Sequence, residues 1–139
     1  MKFSRVLIIA LLLTGLFGAH LPGTADARGI QWQTFSAGMA RSKTENKKVF
    51  VHFYAKWCGA CRIMENKTFK HPGVIAVLNQ DYIPIKIDVE RNKKIAKLFK
   101  VNLLPDTWLI GAKYEIIHHR SGYITPKQLW FLLKSYSED

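Results

Sequence analysis

Val49-Phe50-Val51-His52-Phe53-Tyr54, followed directly by Ala55-Lys56-Trp57-Cys58-Gly59-Ala60-Cys61, is the stretch on which the fold turns. Its first half is six strand-forming residues in a row, apolar on both faces, the pattern of a central strand covered on both sides. Ala55 to Gly59 turns the chain, and a helix is expected from Cys58 to about Phe69, broken by His71-Pro72-Gly73. Two cysteines therefore fall just past the carboxyl end of a buried strand, where open α/β sheets form their sites. A helix N-terminus presents unpaired N–H groups and the positive end of a dipole, so a thiolate at Cys58 is stabilised there. Lys56 and Arg62 add positive potential. The two-residue spacer sets Cys61 one turn along, which makes Cys58 the exposed attacking sulfur and Cys61 the buried resolving one.

Other chemistries of a CxxC pair fit less well. Zinc needs two more ligands, and His52, His71, His118 and His119 lack paired finger spacing. Covalent haem attachment needs histidine after Cys61, where Arg62 stands. A structural disulfide closing so small a loop would constrain the unfolded chain little. Copper(I) capture by Cys58, Cys61 and Met64 is chemically sensible, since soft sulfur ligands select that ion. A redox dithiol is the strongest reading, with no metal and no cofactor beyond the cysteine pair itself.

Outward from this centre, Ile30 and Trp32 suggest a short edge strand, and Phe35 to Asn46 a helix. Val74, Ile75, Val77 and Leu78 suit a helical piece behind Pro72. Tyr82 to Asp88 alternates as a strand, with Pro84 hinting at an edge. Ile95, Leu98 and Phe99 mark a helix whose other face is rich in lysine. Thr107–Ile110 and Tyr114–His118 read as a hairpin around Gly111-Ala112-Lys113, with His118-His119 at a strand end and without function. Thr125, Pro126 and Gln128 form a capping box for the last helix. The order β-α-β-α-β-α-β-β-α predicts an α/β fold, a mixed central sheet with helices on both faces.

The chain of 139 residues is 48% hydrophobic with a formal charge of +11, which fits one packed domain and excludes wholesale disorder. Lys2 and Arg5 precede the fourteen-residue run Val6–Ala19, and Ala25-Asp26-Ala27 supplies an A-x-A cleavage pattern. The run is shorter than the roughly 20 residues that span a bilayer. Residues 1–27 are thus expected to be a signal peptide, with an uncleaved anchor as the competing reading, and residues 28–139 the domain. Export to the periplasm or beyond follows. The basic residues are scattered without aromatic interleaving, so no nucleic-acid partner is expected and the surface reads as a solvated cationic one.

Phe53-Tyr54-Ala55-Lys56-Trp57-Cys58-Gly59-Ala60-Cys61 resembles the active-site segment of the thioredoxin superfamily, and the resemblance runs across nearly all of residues 28–139. It implies the thioredoxin fold and thiol–disulfide exchange with protein substrates. It makes Leu104-Pro105 the family's cis-proline, and Gly122 the glycine before the last helix. Trp57, Gly59, Ala60, Leu104 and Pro105 would then bind substrate, with Trp57 half-exposed beside the sulfurs. Glu65, with Thr68-Phe69 and Pro72-Gly73-Val74, is similar to the C-terminal domain of the transmembrane disulfide reductase DsbD. Asp106-Thr107-Trp108-Leu109-Ile110 after Pro105 resembles thioredoxins of cytochrome c maturation, and would bring Asp106 close to the thiols. Both are exported reductants fed by a membrane-embedded electron donor.

Two positions depart from the family. The buried acid six residues before the first cysteine is His52, and its lysine partner on the next strand is replaced by Pro84. Proton transfer to Cys61 then falls to His52, Glu65 or Asp106. Glu65 is favoured because i and i+4 share a helix face with Cys61. The resulting expectation is an exported reductase of protein disulfides. A disulfide oxidase or isomerase, or a non-catalytic peptide- or copper-binding module on the same fold, is the alternative.

Overall fold

The computed structural model describes residues 29–137, so the expected signal peptide lies outside the described residues. Its elements are α1 (Phe35–Glu45), β1 (Lys48–Tyr54), α2 (Gly59–Asn66), a 3₁₀ turn (Thr68–Lys70), α3 (Pro72–Asp81), β2 (Tyr82–Asp88), α4 (Lys93–Leu98), β3 (Asp106–Ile110), β4 (Ile116–Ser121) and α5 (Pro126–Ser137). They build a four-stranded sheet in the order β2-β1-β3-β4. β1 runs parallel to β2 and antiparallel to β3, and β3 and β4 form the antiparallel hairpin.

β1 is interior because both of its faces are apolar. Val49, Val51 and Phe53 pack with Ile83, Ile85 and Ile87 of β2 and with Phe35, Met39, Ile95 and Phe99 from the helices on that side. Phe50 joins Met64, Phe69, Leu78, Leu129 and Leu133 on the other. Each of the fully buried strand side chains among these stabilises the fold by about 1.5–3 kcal/mol, and the partly buried Phe35, Met39, Ile95 and Phe99 add less. α5 opens with the expected capping box: Gln128 N–H donates to Thr125 Oγ1 at 3.2 Å, and Thr125 N–H to Gln128 Oε1 at 3.1 Å. β2 lies at the sheet edge, and Pro84 turns its missing N–H away from β1: its own carbonyl and the Lys86 N–H meet Gln33 on that outer side.

Three local expectations are corrected. The strand at Ile30–Trp32 reduces to one parallel bridge, Gln33 to Ile85. Thr34 caps α1 immediately afterwards, accepting from Ala37 N–H at 3.4 Å, which leaves no length for a strand. The helix from Cys58 stops at Asn66, because Thr68 is drawn into the core and its hydroxyl donates to the Ile124 carbonyl at 2.7 Å. The last strand begins at Ile116 and runs to Ser121. Tyr114, in the left-handed region at φ 69°, extends the turn, and a bulge at Leu109/Ile110 absorbs the shifted register. His118 and His119 therefore sit inside β4 and not at its end.

Candidate active site

Cys58 is the N-cap of α2, four residues past β1, and its Sγ accepts the Cys61 N–H at 3.2 Å. The two cysteines are joined in a disulfide with Cα atoms 5.3 Å apart. The expected contrast in exposure is small: Cys58 is 5% exposed and Cys61 1%. The closed disulfide clusters with buried Ala55, and Tyr54, Ala60, Val89 and Leu104 pack against that cluster. On reduction, the N–H of Cys61 is already aimed at the Cys58 sulfur, the arrangement that stabilises a thiolate.

The rim is formed by Trp57 and the segment before β3. Trp57 is 67% exposed, more than the half-exposed ring expected, and its Nε1 donates to Glu90 Oε1 at 3.2 Å. The Leu104–Pro105 peptide bond is cis. Pro105 accepts the Gly122 N–H at 2.7 Å, and Gly122 has φ 90°, which a side chain would oppose. Gly59 is exposed and Ala60 partly buried at the start of α2. Met64, the third sulfur a copper site would need, is fully buried among Phe50 and its neighbours in the core.

A polar slot lies on the α2 side of the sheet. In the ladder His52 faces Lys86 on one side and Thr107 on the other. His52 is fully buried, and neither ring nitrogen has a hydrogen-bond partner among the described residues. It lies edge-on to Phe69 at 4.8 Å and parallel to Tyr54 at 6.3 Å. Burial, helped by the nearby Lys86 ammonium, pushes its pKa down to about 3, so the ring is neutral at neutral pH and a poor acceptor for a thiol proton. Glu65 Oε1 and Lys86 Nζ pair at 2.7 Å, with side chains about a third and a fifth exposed. The ammonium also stands 4.5 Å from the centre of the Tyr54 ring. Burial, then the Asp88 and Glu65 carboxylates, raises the pKa of the Tyr54 hydroxyl.

Lys86 is the residue that sequence reasoning missed. Pro84 does occupy the position at which the resemblance places the basic partner. Alternation along β2 puts Lys86 on that same face two residues later, and this was the available signal. Asp106 behaves differently from expectation as well. It is 1% exposed and accepts from Ser121 Oγ at 2.7 Å, Trp108 Nε1 at 3.0 Å and His119 Nε2 at 2.8 Å. Trp108 packs into the Val49–Val51–Phe53 cluster, so this carboxylate lies on the sheet face opposite Phe50 and His52. His119, stacked on Trp108 at 3.9 Å, has a structural partner after all.

The family described as "Thioredox_DsbH: Protein of unknown function, DUF255" matches residues 21–105. A thioredoxin from Mycoplasmoides gallisepticum is 31% identical over 101 residues, covering 73% of this chain and 96% of that protein. The thiol:disulfide interchange protein DsbD of Vibrio vulnificus is 42% identical over 55 residues, 40% of this chain but 9% of DsbD. Among solved structures, a DsbH oxidoreductase superposes with a TM-score of 0.61 at 17% identity, covering 76% of this chain and 86% of the other. That likeness concerns the fold alone.

Proposed function

The chain belongs to the thioredoxin-like superfamily and is a thiol–disulfide oxidoreductase, and from that premise we propose that it is an exported reductase of protein disulfides. The observation that carries the reading is Cys58 at the N-cap of α2, its sulfur bonded to Cys61 beside the cis-Pro105 segment. In the reduced protein, the Cys58 thiolate attacks one sulfur of a substrate disulfide and expels the other as a thiolate. Cys61, as thiolate, then attacks Cys58 Sγ in the mixed disulfide. The second substrate thiolate leaves, and the Cys58–Cys61 disulfide closes. Two electrons pass from the pair to the substrate, which takes up two protons. No cofactor is required beyond the pair.

Glu65 is the group we assign to moving the proton of Cys61. It lies four residues along the same helix, and Lys86 holds its carboxylate at 2.7 Å. His52 is neutral, and Asp106 is held by three donors on the other side of the sheet. Reduction as the direction rests on the Gly59-Ala60 spacer and on the likeness of the Glu65 and Asp106 segments to exported reductants. Export rests on residues 1–27. A protein reducing substrates outside the cytoplasm needs electrons from a membrane-embedded donor. Substrates of the cytochrome c maturation type belong to the same proposal.

The equilibrium reduction potential of the Cys58–Cys61 pair against glutathione tests the direction. A value near −270 mV, as for thioredoxin, supports the reductase; one near −120 mV makes the protein a disulfide donor and overturns it. A Cys58→Ser/Cys61→Ser variant that keeps full biological activity would overturn the redox reading itself.

A further inference from the structure

α4 is built against its own stability. It has six residues and none is buried, and Asn92 makes no capping bond from its side chain to the first turn. Lys93 and Lys94 open it, at the end of a helix where the dipole disfavours cations, and no acidic residue offsets them. Lys100 follows the helix at φ 53°, in the left-handed position where glycine is the usual choice. None of Lys93, Lys94, Lys97 and Lys100 has an ion-pair partner among the described residues. Ile95 and Phe99 hold the inner face of this segment to the core, but the lysine face breaks several local rules without a compensating ion pair, the mark of a surface kept for another purpose.

That surface is concave and shares one residue with the packing around the sulfurs. A shallow groove of about 650 Å³ is lined by Lys93, Lys97 and Lys100 over a floor that includes Val89 and Ala96. Val89 is shared: it also packs against the Cys58–Cys61 pair. No acidic side chain lines the groove. Glu90 beside it is bonded to the Trp57 indole, and the Asp88 carboxylate lies 3.8 Å from Arg91.

We propose that this lysine-lined groove receives an acidic segment of the substrate polypeptide, adjacent in sequence to the cysteine that Cys58 attacks. The apolar floor accepts the chain of the segment, and the three ammonium groups select its carboxylates. A groove that meets the surroundings of the sulfurs at Val89 fits an extended peptide, whereas a flat bilayer would meet the lysine tips alone. The inference rests on the redox reading and names the substrate class for it.

The test uses two disulfide-linked peptides that differ in one flank, four Asp/Glu against four Asn/Gln. The second-order rate constant for reduction is measured at low ionic strength. The acidic peptide is expected to react at least tenfold faster, and the advantage to shrink as salt is raised. In Lys93→Ser/Lys97→Ser/Lys100→Asn the two rates are expected to agree within twofold, while hydroxyethyl disulfide, too small to reach the groove, reacts as before. The ratio between proteins also removes any effect of acidic flanks on the peptide's own thiols. Lys97→Glu alone is expected to turn the preference toward a lysine-flanked peptide.

Equal rates in the unaltered protein, or a tenfold preference that survives in the triple variant, would overturn the proposal. So would binding to phosphatidylglycerol vesicles that the triple variant loses in the absence of any peptide preference, which would give the surface to a membrane. If the unaltered protein fails to reduce hydroxyethyl disulfide, the redox reading falls instead. The groove is then read by fluorescence anisotropy of a labelled, cysteine-free acidic peptide. Binding lost in the triple variant supports it, and no binding overturns it.

Discussion

His52→Leu is expected to make the protein less sensitive to mild acid. His52 is enclosed by Phe69, Tyr54 and Trp32, with both nitrogens unpartnered, and its pKa falls from 6.5 to about 3. Between those values the unfolded chain takes up a proton that the folded chain refuses. The contribution of His52 to stability is therefore fully present above pH 6.5 and is lost as the pH falls toward 3. The slope approaches about 1.4 kcal/mol per pH unit, and integration from pH 7 to pH 5 gives about 2 kcal/mol. Leucine carries no such dependence. It also removes two buried groups without hydrogen bonds, whose desolvation costs about 1–3 kcal/mol each, so the variant should match or exceed the parent at pH 7. Urea unfolding of both proteins at pH 7 and pH 5, with the disulfide closed, reads the difference directly. Carboxylates titrating elsewhere cancel in the comparison. Parallel loss of stability in the two proteins would show that the histidine is solvated or paired, and the argument would fail.

Glu65→Gln should slow the attack of Cys61 on the mixed disulfide and change its pH profile, by up to about a hundredfold, the low end for a positioned acid–base group. Rapid-mixing measurement of substrate release checks this, and an unchanged profile removes Glu65 from the mechanism. Asp106→Asn weakens three hydrogen bonds to a buried carboxylate and should cost about 2 kcal/mol in thermal or urea unfolding. A cysteine-pair potential that moves with it would instead tie Asp106 to the thiols. Gly38→Ala places a methyl group 2.4 Å from Ile85 Cγ1 inside the core and should destabilise by about 1–3 kcal/mol. Gly111→Ala meets the flexible end of Glu115 and should cost less than about 0.5 kcal/mol in the same unfolding assay, a side-chain shift being enough to relieve it.

What could be read from sequence was local. The run from Val49 to Tyr54 is apolar on both faces, so it had to be interior whatever lay beside it. The cysteines then had to stand at a helix start near that strand's end. Thr125 and Gln128 specify a helix entrance within four residues. What escaped was set by partners distant in the chain. Thr68 leaves a helix its neighbours would extend, because Ile124 offers a carbonyl 56 residues away. Asp106 follows the cis-proline, yet its carboxylate direction is fixed by β4 through Ser121 and His119, and no reading of residues 105–110 alone contains that strand.

The same reasoning accounts for the acid–base slot. A carboxylate at position 52 would have come from β1, inside the sheet. The chain places a neutral ring there, and the ionised pair comes from α2 and β2 as Glu65 and Lys86. Both lie on the helix side of the sheet, and each is reached by an independent periodicity: four residues along α2 from Cys61, and two along β2 from Pro84. Neither period reveals the pairing without the register that sets Lys86 opposite His52. Partial exposure of both groups lets protons exchange with solvent, which a carboxylate sealed under β1 could do only through neighbouring side chains. On the proposed role of Glu65, moving the carboxylate from strand to helix would keep an acid available to Cys61 and open it to water. Lys86→Met tests the coupling: it removes the ammonium that holds Glu65 while keeping an unbranched side chain over Tyr54. A pH profile for Cys61 attack displaced in the same sense as in Glu65→Gln would establish that the two act as one unit.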